Sequence, residues 1–439
     1  MRLRGLRFDQ WRDRFGWIIG PLLIVASLAF LVAQHLSAQS PSLLGLCAAA
    51  VGLALGGLLF IPASPRVVKA LRRLAASRAP RGASGPFHVA AFDVMLPSSA
   101  AKDAAILARI WHPATGDPSA ARAGATPDPD SALAGAEALR DRRLAEGRQV
   151  PILLYAPGGG GLRDDNASTA ECLASYGYLV LAIDDVDRDV SAQPLHFDFS
   201  SAAAYETTLR RGADKARRQA NKALAALDRL EACASPDWRS RLQFERVGFF
   251  GFSFGGATAA EAGAIDPRVV AVANLDGWLF GASALGALDK PYMVMLCDIE
   301  IPEPRHRQSR NPKTRYEARL TDRDLDEEVR LANEPDGYGF LVRGSFHENL
   351  SDQAFGRNLF KSWFVTDPDR IKSIRDAYLT AFFDAHLRGL ARPLLRQDPS
   401  PYWEVEIIHK NPVWLTRKAA AAKHYAAERE LVVALRAGE

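Results

Sequence analysis

Two uninterrupted apolar runs open the chain, at residues 17–33 and 43–63, and neither contains a charged side chain. Each approaches the roughly 20 residues that cross a hydrocarbon core. The connector at 34–42 carries no Lys or Arg, so a pair of spans turning back as a tight transmembrane hairpin is predicted. A helical pair buried in a globular core fits less well, because such helices keep a polar face and these runs have almost none. A cleavable leader is a further alternative for the first run, but Leu36-Ser37-Ala38 is a poor cleavage site and the second run would still span.

Past residue 86 the periodicity changes. Residues 87–96 and 105–111 are rich in β-branched and aromatic side chains and read as strands that can pair antiparallel. Residues 112–149 are rich in Ala, Pro, Asp and Gly; only 131–147 has helical composition, so this stretch reads as a surface excursion. From 150 onward, short apolar runs at 150–156, 178–184, 246–252, 269–275, 291–297 and 339–342 alternate with helical stretches at 166–176, 201–233 and 256–263. That alternation predicts a mostly parallel central sheet flanked by helices. The charged stretch 298–336 interrupts it and reads as a lid or an insertion. The expected organisation is a basic N-terminus at 1–16, the hairpin at 17–63, a basic linker at 64–86, a catalytic domain at 87–411 and a helical tail at 412–439.

Composition narrows the function. A chain of 439 residues that is 48% hydrophobic can bury a large core. Its net charge is only +4, with the excess near the N-terminus, which argues against nucleic acid and for small-molecule partners. Arg2, Arg4, Arg7, Arg12 and Arg14 precede the first run, and Arg66, Lys69, Arg72, Arg73, Arg78 and Arg81 follow the second. The positive-inside rule then places both flanks, and the catalytic domain with them, on the cytoplasmic side. Cys47, Cys172, Cys233 and Cys297 form no CxxC pair, so neither a zinc site nor a disulfide framework is indicated and a reducing compartment fits. Phe355, Leu359, Phe360, Trp363 and Phe364 recur at helical spacing beside Arg357 and Lys361, a pattern that suits either a helix lying on a bilayer or one packed in the core.

The chemistry is carried by a few short motifs. Gly251-Phe252-Ser253-Phe254-Gly255 lies between the apolar run Val247-Gly248-Phe249-Phe250 and the helical Ala257-Thr258-Ala259-Ala260. A G-x-S-x-G in strand-to-helix context holds a serine in a sharp turn above a sheet edge, and predicts an α/β-hydrolase fold with Ser253 as nucleophile. Pro157-Gly158-Gly159-Gly160-Gly161 follows the run Ile152-Leu153-Leu154-Tyr155. It lacks the Lys-Ser or Lys-Thr of a phosphate loop and reads as an oxyanion loop, in which the Gly159 N–H joins that of Phe254. Of the histidines after Ser253, His347 stands in Gly344-Ser345-Phe346-His347, just past the final core strand, and is the candidate base; His306, His386, His409 and His424 lie in a charged stretch, a helix or near the tail. Two carboxylates close strands after the serine: Asp276 among apolar neighbours, and Asp298 at the start of the charged stretch. The need for a partly buried acid favours Asp276, with Asp298 the alternative.

Four stretches together resemble the plasma-type platelet-activating-factor acetylhydrolase family: 155–163 (YAPGGGGLR), 251–258 (GFSFGGAT), 275–280 (LDGWLF) and 344–352 (GSFHENLSD). The resemblance covers roughly residues 87–411. It implies Asp276 as the acid of a Ser-His-Asp triad, hydrolysis of short or oxidised acyl chains from phospholipid-like esters, and no cofactor or metal. Phe252 and Pro157 stand where that family has His, and the excursion before Val150 is polar where the plasma enzyme has an apolar docking helix. The rival expectations are an esterase or amidase acting on small soluble or polyester substrates, and a catalytically silent hydrolase-like scaffold at the membrane.

Overall fold

The computed structural model describes residues 25–28, 50–54, 84–97, 104–114, 133–134, 144, 149–185, 196–299, 301–357 and 367–408. The chain divides into two units, Met1–Ser77 and Arg78–Glu439. In the first, the two described stretches are helical. The expected hairpin otherwise lies outside the described residues, as do the basic segments at 1–16 and 64–83, the aromatic stretch at 359–364 and the tail at 412–439. Among the described residues no helix is long and apolar enough to cross a membrane.

The second unit is a layered α/β structure. Its strands are β1 (His88–Leu96), β2 (Ile106–Ala114), β3 (Leu133–Ala134), β4 (Val150–Ala156), β5 (Leu179–Ile183), β6 (Leu242–Phe252), β7 (Val269–Leu275), β8 (Tyr292–Leu296), β9 (Gly337–Val342) and β10 (Val405–Ile407). The longer helices are α1 (Ala167–Ser175), α2 (Ala202–Cys233), α3 (Phe254–Ile265), α4 (Pro312–Ala332) and α5 (Pro368–Arg388). The described strands form one sheet in the order β10-β9-β8-β7-β6-β4-β5-β2-β1-β3. Neighbours from β5 across to β9 run parallel, whereas β1 and β2 pair antiparallel, as do β2 with β5 and β10 with β9.

Burial explains the apolar runs. Every residue of β4, β5, β8 and β9 is buried, because helices cover both faces of this part of the sheet. Ile152, Leu154 and Ala156 pack with α2 and α3 residues such as Leu227 and Ala260, while Leu153 and Tyr155 face Leu173 of α1 and Phe382 and Phe383 of α5. Local signals set the helix starts: Ser201 Oγ accepts the Ala204 N–H at 3.1 Å, and Pro312 and Pro368 occupy first-turn positions behind Asn311 and Asp367.

Two expectations are corrected. Leu133–Ala134 does not continue a helix at 131–147 but pairs with β1 as a short strand, and Leu144 bridges Ala114, so an edge strand overrides the Ala-rich local propensity. Residues 298–336 are neither lid nor insertion: α4 is the connection between β8 and β9, packed on the sheet through Leu325 and Leu331, while Leu320 packs with Tyr205 and Phe254. Its charge misleads because Asp322, Asp324, Glu327 and Glu328 are themselves buried.

Candidate active site

The strand order places the site. From β4 the chain steps to β5 on one side and later to β6 on the other. Loops leaving the carboxyl ends of β4 and β6 therefore diverge and leave a crevice, the position where open α/β sheets bind ligands. The Gly-rich loop leaves β4 there, and Ser253 follows β6 beside it.

Ser253 has φ 55° and ψ −124°, a conformation costly for a residue with a side chain, by about 1–3 kcal/mol. Its surroundings enforce it. The Ser253 N–H donates to Leu275 O at 2.8 Å, and its carbonyl accepts from Gly256 N at 2.8 Å. A Cβ on Gly251 would collide with the Gly255 carbonyl, and one on Gly255 with the Ala156 carbonyl. These approaches, rather than flexibility, require glycine on both sides of the serine.

Asp276 is the other non-glycine residue with positive φ among the described ones, at 59°. Its turn abuts the serine turn so closely that a Cβ on Gly277 would strike the Ser253 carbonyl. The carboxylate is bound on both oxygens: Oδ1 accepts the Cys297 N–H at 2.9 Å, and Oδ2 lies 2.6 Å from His347 Nδ1. Its side chain is 7% exposed, that of His347 43%. Burial acts to raise the carboxyl pKa, but the hydrogen bond and charge of His347 and the bonds at Cys297 outweigh it and hold Asp276 below its ordinary value. Burial likewise acts to lower the imidazole, and the bond and charge of Asp276 reverse this, so the pKa of His347 is raised. The Cys297 thiol, pushed up by burial and then by Asp276, stays protonated. The Phe252 ring lies 4.7 Å from the His347 ring, centroid to centroid, and so backs the imidazole from within the serine motif. Asp298 has a different place: its side chain, 35% exposed, accepts from Arg343 at 3.0 Å and from Gly344 N at 2.9 Å, capping the loop that carries His347.

The Gly-rich loop is pinned residue by residue. Gly160 N–H donates to Asp185 at 2.5 Å, Gly161 N–H to Gly158 O at 2.7 Å, Leu162 N–H to Asp165 at 3.2 Å and Arg163 N–H to Asp184 at 2.8 Å. The Gly159 N–H, and the Phe254 N–H at the start of α3, meet no acceptor among the described residues. The two residues face each other, with a Cβ on Gly159 falling 3.8 Å from that of Phe254. The site thus holds two free amides beside the serine, the arrangement that stabilises a developing oxyanion.

Several supports went unread in the sequence. Asp185 anchors Gly160 and is itself gripped by Lys215 at 2.6 Å; burial raises its pKa despite that cation. Lys215 also lies over the Phe254 ring at 5.0 Å. Arg163 joins Asp184 at 2.9 Å and the buried Asp93 at 2.6 Å, tying the loop to β1. Beyond His347, the buried Asp352 accepts from Ser168 N at 2.8 Å and Ser168 Oγ at 2.6 Å, and Asn166 Nδ2 donates to Leu350 O at 3.1 Å. The histidine loop is thereby stapled to the start of α1. The aspartate pair closing β5 was the one available signal, since carboxylates at a strand end beside glycines commonly bind turn amides. An aromatic wall adjoins the site: Phe254 faces Phe280 at 5.7 Å, and Phe197, 42% exposed, meets Trp278 at 5.4 Å and Phe280 at 6.1 Å.

Comparison with known proteins agrees with this architecture. Residues 143–290 match the dienelactone hydrolase family. A ferulic acid esterase from Streptomyces cinnamoneus superposes with a TM-score of 0.51 at 22% identity, over 75% of this chain and 98% of its own. No curated protein matches the sequence. The fold is that of the α/β-hydrolases.

Proposed function

We propose that the protein is a serine carboxylic-ester hydrolase. The observation that carries this reading is the 2.6 Å bond from His347 Nδ1 to the buried Asp276, built against a serine turn with φ 55°. In this mechanism Asp276 keeps the proton on His347 Nδ1, leaving Nε2 to accept the Ser253 proton. Ser253 Oγ attacks the ester carbonyl, the amides of Gly159 and Phe254 hold the oxyanion, and His347 returns the proton to the departing alcohol. Water, activated by the same imidazole, then releases the acid from the acyl-enzyme. The dienelactone hydrolase match and the esterase neighbour support ester hydrolysis in general.

For substrate, the sequence resemblance favours short acyl chains on phospholipid-like esters. The half-exposed Phe197 and partly buried Trp278 support a second class, esters of aromatic acids, to which the substrate named for the esterase neighbour belongs. For location, the apolar runs and their basic flanks support a two-span membrane hairpin with the catalytic domain on the cytoplasmic side. A reporter fused at the C-terminus tests that orientation, and a signal from the opposite side refutes it.

The enzymatic test is turnover of p-nitrophenyl acetate, butyrate and palmitate and of a methyl hydroxycinnamate. Ser253→Ala abolishes turnover, Asp276→Asn lowers kcat by roughly four orders of magnitude, and Asp298→Asn leaves it within a few-fold of wild type, as expected for a loop cap about 3 Å from its partners. Turnover that survives Ser253→Ala, or a larger loss in Asp298→Asn than in Asp276→Asn, overturns the reading. Preference between acetate and hydroxycinnamate separates the two substrate classes.

A further inference from the structure

Helix α4 carries two carboxyl groups, Asp324 and Glu328, on its sheet-facing side, at 4% and 0% exposure. Both reach the turn that bears Asp276. Asp324 Oδ1 accepts the Leu279 N–H at 2.5 Å, at the end of that turn. Glu328 Oε1 accepts from Asn274 Nδ2 at 2.8 Å and from the Tyr292 hydroxyl at 2.9 Å, at its beginning. Asn274, wholly buried, closes the turn from within: its Nδ2 also donates to Gly277 O at 2.8 Å, and its Oδ1 accepts the Gly277 N–H at 2.9 Å. Between these two fixed points stands Asp276 in its left-handed conformation. Packing alone would be served by aliphatic side chains here, since a buried carboxyl is expensive unless its bonds are needed. The second Glu328 oxygen has no hydrogen-bond partner among the described residues, so the side chain is held for what Oε1 does.

We propose that Glu328, acting through Asn274, is a positioning residue for the catalytic acid: it locks the 274–279 turn so that the Asp276 carboxylate stays on His347 Nδ1. This inference rests on the hydrolase reading above. Loss of the lock lets Asp276 relax toward ordinary backbone angles, withdraws its carboxylate from the imidazole, and weakens the base without touching substrate contacts.

The test uses the full chain and three variants. Glu328→Ala removes the acceptor, and Glu328→Gln keeps an acceptor oxygen for Asn274 and Tyr292. Asn274→Ser removes the bridge with a smaller change, and serves if Glu328→Ala does not accumulate. Rates are normalised to serine sites counted with a fluorophosphonate, and the imidazole of His347 is titrated by proton NMR, which needs no turnover. Expected for Glu328→Ala and Asn274→Ser are a kcat per titrated site lower by up to about 100-fold, the cost of misplacing a catalytic group by roughly 1 Å, an unchanged KM, and an imidazole pKa lowered toward its ordinary value. Glu328→Gln restores both. A variant that loses thermal stability yet keeps wild-type kcat per site and wild-type imidazole pKa makes the cluster purely structural and overturns the proposal. If wild-type turnover is itself independent of Ser253, the hydrolase reading fails, and the imidazole titration still decides whether Glu328 positions Asp276.

Discussion

At the residue scale, the site is a set of strained or crowded groups that each constrain another. In the proposed mechanism His347 must be neutral to accept a proton, and its pKa is raised by Asp276. Activity is therefore expected to appear as pH rises through a value above the ordinary imidazole figure of about 6.5, and the acid limb of kcat/KM should move down in Asp276→Asn. The same bond has a stability window. The share from His347, with its raised pKa, is full below the unfolded imidazole value and lost as pH rises through the folded one. The share from Asp276, with its depressed pKa, is present above the unfolded carboxylate value and lost as pH falls through the folded one. Phe252 supports the ring by contact: Phe252→Ala should destabilise by about 3–5 kcal/mol in urea unfolding, and should lower kcat more than it changes KM. The turn at Ser253 was legible because glycines two residues to each side of a serine, between a strand and a helix, mark a sharp strand-to-helix turn. The place of His347 after a strand marked it as a candidate, whereas the same criterion left Asp276 and Asp298 level, and only the apolar neighbours of Asp276 favoured the carboxylate that meets His347. Asn274 was not, since a lone buried Asn reads as an ordinary strand-end residue until its partners are known.

At the element scale, α4 shows where pattern reading breaks down. A helix with buried carboxyls has the composition of a solvated segment, and residues 298–336 read as a lid for that reason. Its true placement has a measurable signature. Burial, reinforced by the other carboxylates, pushes Asp324 up to about 7 and raises Glu328 well above its usual value, against the Leu279 amide and Arg323 at the first and the donors Tyr292 and Asn274 at the second. Because the folded pKa values are raised, the stability tied to these groups is full below the ordinary carboxylate range and is lost as pH climbs from there through the folded values, by about 7 for Asp324. Thermal midpoints should fall as pH rises from the ordinary carboxylate range toward neutrality in the wild type, and fall less in Glu328→Gln, which cannot ionise. A flat wild-type profile would contradict the burial of neutral acids. The strands β4, β5, β8 and β9, by contrast, were plain in the sequence because burial on both faces leaves an unbroken apolar run.

At the scale of the whole molecule, all three core clusters among the described residues draw on residues between Phe92 and Ile408. A chain beginning at Ser84 should therefore fold and turn over soluble esters with a kcat within about two-fold of the full-length protein, while losing the sedimentation with membranes that the apolar runs at 17–33 and 43–63 should confer. Parallel pairing and the succession of the longer strands along the chain were readable from alternation; the order of the strands in the sheet, β3, β10 and the Leu144 bridge were not, because strands of two or three residues have no period. The staple between the histidine loop and α1 joins segments 184 positions apart along the chain, through Ser168 and Asn166 to Asp352 and Leu350. With Asp352 N–H also donating to Asp165 O at 3.1 Å, neither segment can detach while the other stays in place. In native-state hydrogen exchange, amides of 158–168 and 344–352 should consequently share one opening free energy and respond together to denaturant, so that Gly159 and His347 are lost or kept in place as a single cooperative unit.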